Sequence, residues 1–153
     1  MQRSYLTSEH ECSFDNGRHF FTPAQANKAL VLVRRIVADV VTHYTRMLDL
    51  HEALESALAS RTPRQTDLLR DSLIKCVNRL QSCQEELSAI GVELRDWALG
   101  IVDFPCRIDG RIVCLCWRYG EKDVHFWHEA QEGFASRRST DELDTQLAPH
   151  VHA

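Results

Sequence analysis

Two stretches of the chain repeat apolar residues at alternating steps of three and four. The first comes after Thr22, a good N-cap, and Pro23, which suits the first helical position because its missing N–H costs nothing there. It runs Leu30, Val33, Val37, Val40, Tyr44, Met47, His51, Leu54, Leu58. A 3.5-residue period held over four heptads is a coiled-coil seam. SRTPRQTD interrupts it, with Pro63 as breaker and Thr66 or Asp67 as caps for a second helix. The second seam is Leu69, Leu73, Cys76, Leu80, Cys83, Leu87, Ile90. Folding one helix back on the other between Pro63 and Arg64 pairs Leu58 with Leu69, His51 with Cys76, Tyr44 with Cys83 and Val37 with Ile90. The register closes along the whole seam and sets small Cys residues against large rings. The expectation is a helical hairpin over residues 23–90, its first helix about 50 Å long.

After Val92 the period changes to two. IVDFPCRIDGRIVCLCW holds Asp109-Gly110 between two alternating runs, a strong signal for a two-residue hairpin turn. That turn pairs Ile108 with Arg111, Cys106 with Val113, Phe104 with Leu115 and Val102 with Trp117, all on one apolar face. The other face carries Asp103, Pro105 and Arg107 against Ile112, Cys114, Cys116 and Arg118. Pro105 lacks a ladder donor, so this strand should lie at an edge or have its N–H side free. Val124–His128 reads as a third strand, and Phe20 and Phe21 as a short fourth. The fold class is therefore α+β: a long antiparallel two-helix coiled-coil hairpin with a small antiparallel β-meander (92–134) at its base. Residues 19–138 are expected to form one domain between a flexible leader (1–18) and a flexible tail (139–153).

Composition changes this picture little. The 153 residues include 18 Lys+Arg and 22 Asp+Glu, a net charge of −4, which argues against a nucleic-acid binder held by phosphate contacts. No run of 18 apolar residues is present, so no membrane span is expected. The start MQRSYLTSEHECSF lacks a signal-peptide core, so the six Cys read as reduced thiols in a cytoplasmic protein. Two helices with one seam bury little surface, and Ala29, Ile36, Val41, Leu48, Leu50 and Ala57 flank the first seam. Some of this surface should meet the sheet, and some a second copy of the chain in a four-helix homodimer. The hairpin tip, with Arg61 and Arg64, is a candidate docking point for a protein partner.

The phrases FFTPAQANKAL, GIVDFP, LCWRYGE and FWHEAQEGFASRR resemble those of the bacterial family known as domain of unknown function 2203, over about Phe20 to Arg138. Its opening phrase usually has Glu where this chain has Gln25. The resemblance implies the fold but no reaction, and it singles out Asp103, Cys116, Trp117, Glu121, Trp127, His128 and Arg137 as candidate binding residues.

Two chemistries compete at these residues. Cys114-x-Cys116 and His125-x-x-His128-Glu129 supply thiolate, imidazole and carboxylate ligands suited to zinc. The metal candidates are Cys116, His125, His128 and Glu129, although alternation on a regular strand sends His125 and His128 to opposite faces. Nucleophilic catalysis by Cys116 beside His125, or by Cys76 beside His51, is the weaker reading. The alternative is structural: Trp117 and Trp127 pack the sheet on the helices, Glu121 pairs with Arg137 or Arg138, and His128 bonds a backbone carbonyl. The sequence thus favours a non-enzymatic scaffold or interaction module, with metal or ligand binding at the sheet as the alternative.

Overall fold

A computed structural model describes residues 18–143; the expected leader and tail lie mostly outside the described residues, as do Cys12, His10, His150 and His152. Helix α1 spans Pro23–Ala59 and α2 spans Pro63–Ile90. Strands β1 (Glu93–Asp96), β2 (Ile101–Ile108), β3 (Arg111–Arg118), β4 (Phe126–Glu129) and β5 (Arg138–Ser139) form one antiparallel sheet in sequence order. The α+β hairpin with a meander at its base is the observed architecture. No described helix is long and apolar enough to cross a membrane.

Helix α1 starts as its sequence dictates. Thr22 Oγ accepts from the Gln25 N–H at 3.2 Å, and Gln25 Oε1 accepts from the Thr22 N–H at 2.9 Å, a reciprocal capping box. Gln25 therefore does the local work that a Glu would do there. Two residues on, Asn27 clamps a distant loop: its Oδ1 accepts from the Val124 N–H at 2.7 Å and its Nδ2 donates to the Val124 carbonyl at 3.2 Å. The opening phrase thus fixes both the start of α1 and the approach to β4.

The hairpin turn is tighter than expected. Pro63 is the first residue of α2 rather than a breaker ahead of it, and Thr66, expected as a cap, is buried within the helix. Only Ser60–Thr62 separate the helices, with Arg61 at φ 53°. Centring the hairpin on Arg61 shifts the register. Cys76 Sγ donates to the His43 carbonyl at 2.9 Å, Arg79 pairs with Asp39, and His51 faces water beside Glu55. The expected His51–Cys76 layer does not form. Apolar seams are nearly degenerate to slips by a turn, and the length of the connection decides among them.

The β2–β3 hairpin has the expected register throughout, from Ile108↔Arg111 to Val102↔Trp117. Asp109 and Gly110 have φ of 50° and 77°, the positive values a two-residue turn between twisted strands requires. Its inner face joins Val33, Val37, Leu80 and Leu87 of the helices in one core cluster with Val102, Phe104, Leu115, Trp117 and Trp127. Phe20 and Phe21 form no strand; both are buried, and the Phe21 N–H donates to the Pro105 carbonyl at 2.7 Å. The sequence reading missed β1 and β5. β2 is consequently an interior strand, yet Pro105 lies beyond the last residue that β1 pairs, Asp103, so no β1 ladder bond is lost.

Gly100, in the turn before β2, lies tight between α1 and the end of β3. Its φ is 67°, and a Cβ there would lie 2.8 Å from both Tyr119 Cβ and Val37 Cγ1. Gly100→Ala should destabilise the fold by about 3 kcal/mol, read as a lower denaturation midpoint at unchanged m-value. The register makes a second prediction. In oxidised protein His43→Cys should crosslink to Cys76 within one chain, whereas His51→Cys should not, as peptide mapping would show.

Candidate functional site

The outer face of the sheet holds a carboxylate where a strand would ordinarily place an apolar side chain. Asp103 lies opposite Cys116 on β3, Cys114 lies opposite His128 on β4, and all four are buried. β1 reaches this face through a bulge. Leu94 pairs with Val102 and Asp96 with Ile101, which leaves Arg95 as the extra residue. Its Nε donates to Asp103 Oδ2 at 2.9 Å, while its other end meets Glu93 at 2.7 Å. The remaining wall comes from the segment after β4: a cleft of about 290 Å³ is lined by Arg95, Asp96, Ile101, Asp103, His128, Ala130, Glu132, Gly133 and Phe134.

His128 is the most constrained group. Its Nδ1 lies 2.8 Å from the Glu129 carbonyl, which can only accept, so Nδ1 carries a proton. Nε2 lies 3.1 and 3.2 Å from the two Asp103 oxygens. His128 and Asp103 side chains are 3% and 2% exposed, so water does not screen this contact.

The two neighbouring thiols are poor nucleophiles. Burial, and then the Asp103 charge, push Cys114 up to about 11 and Cys116 up to about 12. Both stay protonated at neutral pH with no metal bound, so neither is an activated nucleophile.

A second network braces the cleft wall. Arg137 Nη1 donates to both Glu121 oxygens, at 2.8 and 3.1 Å, and the guanidinium lies 4.3 and 3.8 Å from the ring centroids of Phe126 and Phe134. Glu121 also accepts from the Arg118 N–H at 2.7 Å, and its carbonyl accepts from Trp117 Nε1 at 3.1 Å. Trp127 Nε1 donates to the Ser139 carbonyl at 3.1 Å under the Arg138 guanidinium. Phe134 belongs to both the network and the cleft, so the pairing of Glu121 with Arg137 shapes the cavity.

A model of the family described as an uncharacterized conserved protein, DUF2203, matches residues 19–140. The chain belongs to the DUF2203 family. No curated protein and no solved structure matches it. Of the DUF2203 residues that the resemblance singled out, Asp103, Cys116 and His128 meet around one carboxylate. Glu121 and Arg137 meet next to it. Trp117 and Trp127 are core residues whose indole N–H groups tie down those networks.

The four metal candidates do not converge. His125 is exposed, 3.5 Å from Ser139 Oγ and 4.0 Å from Asp141. Glu129 is held by Arg111 at 2.9 Å. His125 precedes β4 and is exposed, so it lies apart from the buried His128. The group that does converge is Asp103, Cys114 and His128, whose ligand atoms all lie within 4.8 Å of one another. Sequence reasoning missed Arg95, because the polar ELRD carries no strand signal and a bulge cannot be read from composition. It also left Cys114 out of the metal set. The legible signal was Asp103, an acid between apolar neighbours on a strand. Arg61 and Arg64 sit exposed at the hairpin tip, at the opposite end of the hairpin from the sheet.

The raised thiols give a pH prediction. Their folded values lie above those of the open chain, so their contribution is complete below about 9 and is lost as pH rises through about 11 to 12. Denaturant unfolding across that range should show stability falling more steeply in the native chain than in Cys116→Ser.

Proposed function

We propose that this DUF2203 chain is a non-enzymatic interaction module, one that pairs with a second copy of itself through one side of the helical hairpin. The two sides differ in chemistry. One carries His43, Arg46, Ser72 and Lys75, with the Arg79–Asp39 pair alongside. The other is an apolar groove of about 270 Å³ lined by Tyr44, Met47, Val77, Leu80, Gln81, Gln84 and Trp97. Leu48, one turn beyond Tyr44, and Ile74, one turn before Val77, continue that side toward the tip. Their exposure carries the reading: Leu48 is 51%, Ile74 58% and Val77 43% exposed.

A second copy is the occupant that such a side suits. Beyond the sheet the hairpin has only one seam of its own, and a two-fold arrangement sets the same apolar strip against itself, closing a four-helix bundle. The polar side stays in water, and the tip arginines Arg61 and Arg64 remain clear for a protein partner. Unbridged thiols at Cys76, Cys83, Cys114 and Cys116 suit a reducing compartment, in keeping with a cytoplasmic protein.

Sedimentation equilibrium of the full chain at micromolar concentration tests this. Twice the chain mass is expected. Ile74→Glu should weaken the dimer by at least about 100-fold, because each copy would bury an unpaired charge, and should leave helicity unchanged. Lys75→Glu, on the polar side, should leave the dimer intact. A native chain that sediments at single mass, or dissociation by Lys75→Glu alone, would overturn the reading.

A further inference from the structure

We infer that Asp103, Cys114 and His128 form a zinc site opening into the outer-face cleft. His128 imposes the first constraint. Its Nδ1 proton is committed to the Glu129 carbonyl, so in the neutral ring Nε2 presents a bare lone pair. That lone pair faces both oxygens of a buried carboxylate at 3.1 and 3.2 Å. Two electron-rich atoms at that distance, their side chains 3% and 2% exposed, require a cation between them, either a proton or a metal ion.

The geometry suits a metal. Two ligand atoms held about 2.1 Å from a tetrahedral ion are about 3.4 Å apart, close to the separation of Nε2 from the carboxylate oxygens. Cys114 Sγ supplies a third ligand from the adjacent strand, with all three ligand atoms within 4.8 Å of one another. Thiolate, imidazole and carboxylate together suit zinc rather than calcium or magnesium, which prefer oxygen alone. The outer shell is also in place. The Glu129 carbonyl orients the imidazole, and Arg95 orients the carboxylate. Binding releases the Cys114 proton, and any proton on Nε2, to water through the cleft, so zinc is balanced by one thiolate and one carboxylate, while Glu93 at 2.7 Å balances Arg95. Asp103 and His128 both line the cleft, which gives the ion an entry path and leaves a fourth position for water or a small ligand. Cys116 pairs with Asp103 across the ladder but lies outside the three-residue group.

Chelator-treated full-length protein, titrated with Zn²⁺ against a chromophoric chelator and separately with Co²⁺, tests the site. One zinc per chain is expected. The cobalt form should show the visible bands of a tetrahedral ion and a near-ultraviolet band from thiolate to metal. Cys114→Ser keeps the volume of the site and should fold. It should abolish the thiolate band and weaken zinc binding by at least about 100-fold, more than the loss of an outer-shell partner typically costs. Cys116→Ser should retain the band. Absence of stoichiometric zinc binding, or a thiolate band that survives in Cys114→Ser, would overturn the assignment. Neither result bears on the oligomeric state, so this site and the helical dimer stand or fall separately.

Discussion

A carboxylate taken out of water within a sheet must be surrounded by donors or a cation, and Asp103 imposes that demand on everything near it. Arg95 meets it from β1, but only because a bulge turns that residue onto the outer face. His128 meets it from β4, through the register that sets it beside Cys114. The inner face of the same strands is conventional, with Val102, Phe104, Leu115 and Trp117 packed on the helices. The sheet is therefore buried on both sides for different reasons. Apolar area holds one face, and a charge that cannot be left unpaired organises the other. The short β1 gains its importance from this, because it brings Arg95 to the outer-face carboxylate.

The most legible parts of the fold were those governed by local rules. A two-residue turn between alternating strands leaves one register, and Ile108↔Arg111 to Val102↔Trp117 followed from it. The cap at Thr22 and Pro23 is equally local. The helix register was not legible. A seam repeating every 3.5 residues looks alike after a slip, and the choice rests on whether Pro63 breaks a helix or begins one. Proline does both, and the three-residue turn at Ser60–Thr62 shows which role applies here.

The candidate site was half legible for the same reason. The family resemblance singled out Asp103, while the strand expected over Val124–His128 begins only at Phe126 and leaves His125 outside it. Convergence, however, depends on the offset between β3 and β4, which passes through the YGEKD turn and the Asn27 clamp on Val124. A metal set built from proximity in sequence therefore chose His125 and Glu129, which face elsewhere, over Asp103 and Cys114, which lie on two other strands. Ligand sets that gather across strands are visible only once the strands are aligned.

The two proposed surfaces share one chain segment, even though each is tested alone. Trp97 lies against Tyr44 at 6.4 Å in the apolar groove, two residues from Arg95. Between them, Asp96 anchors the turn by accepting from the Leu99 N–H at 2.7 Å, and Gly100 closes it against Val37. A second copy seated on Trp97 would hold that turn, and with it the bulge that aims Arg95 at Asp103. An ion at Asp103 would fix the same segment from the other side. Coupling free energy is reciprocal, so any tightening of the dimer by zinc must be matched by tighter zinc binding in the dimer. The turn from Arg95 to Gly100 is the path along which that coupling would run.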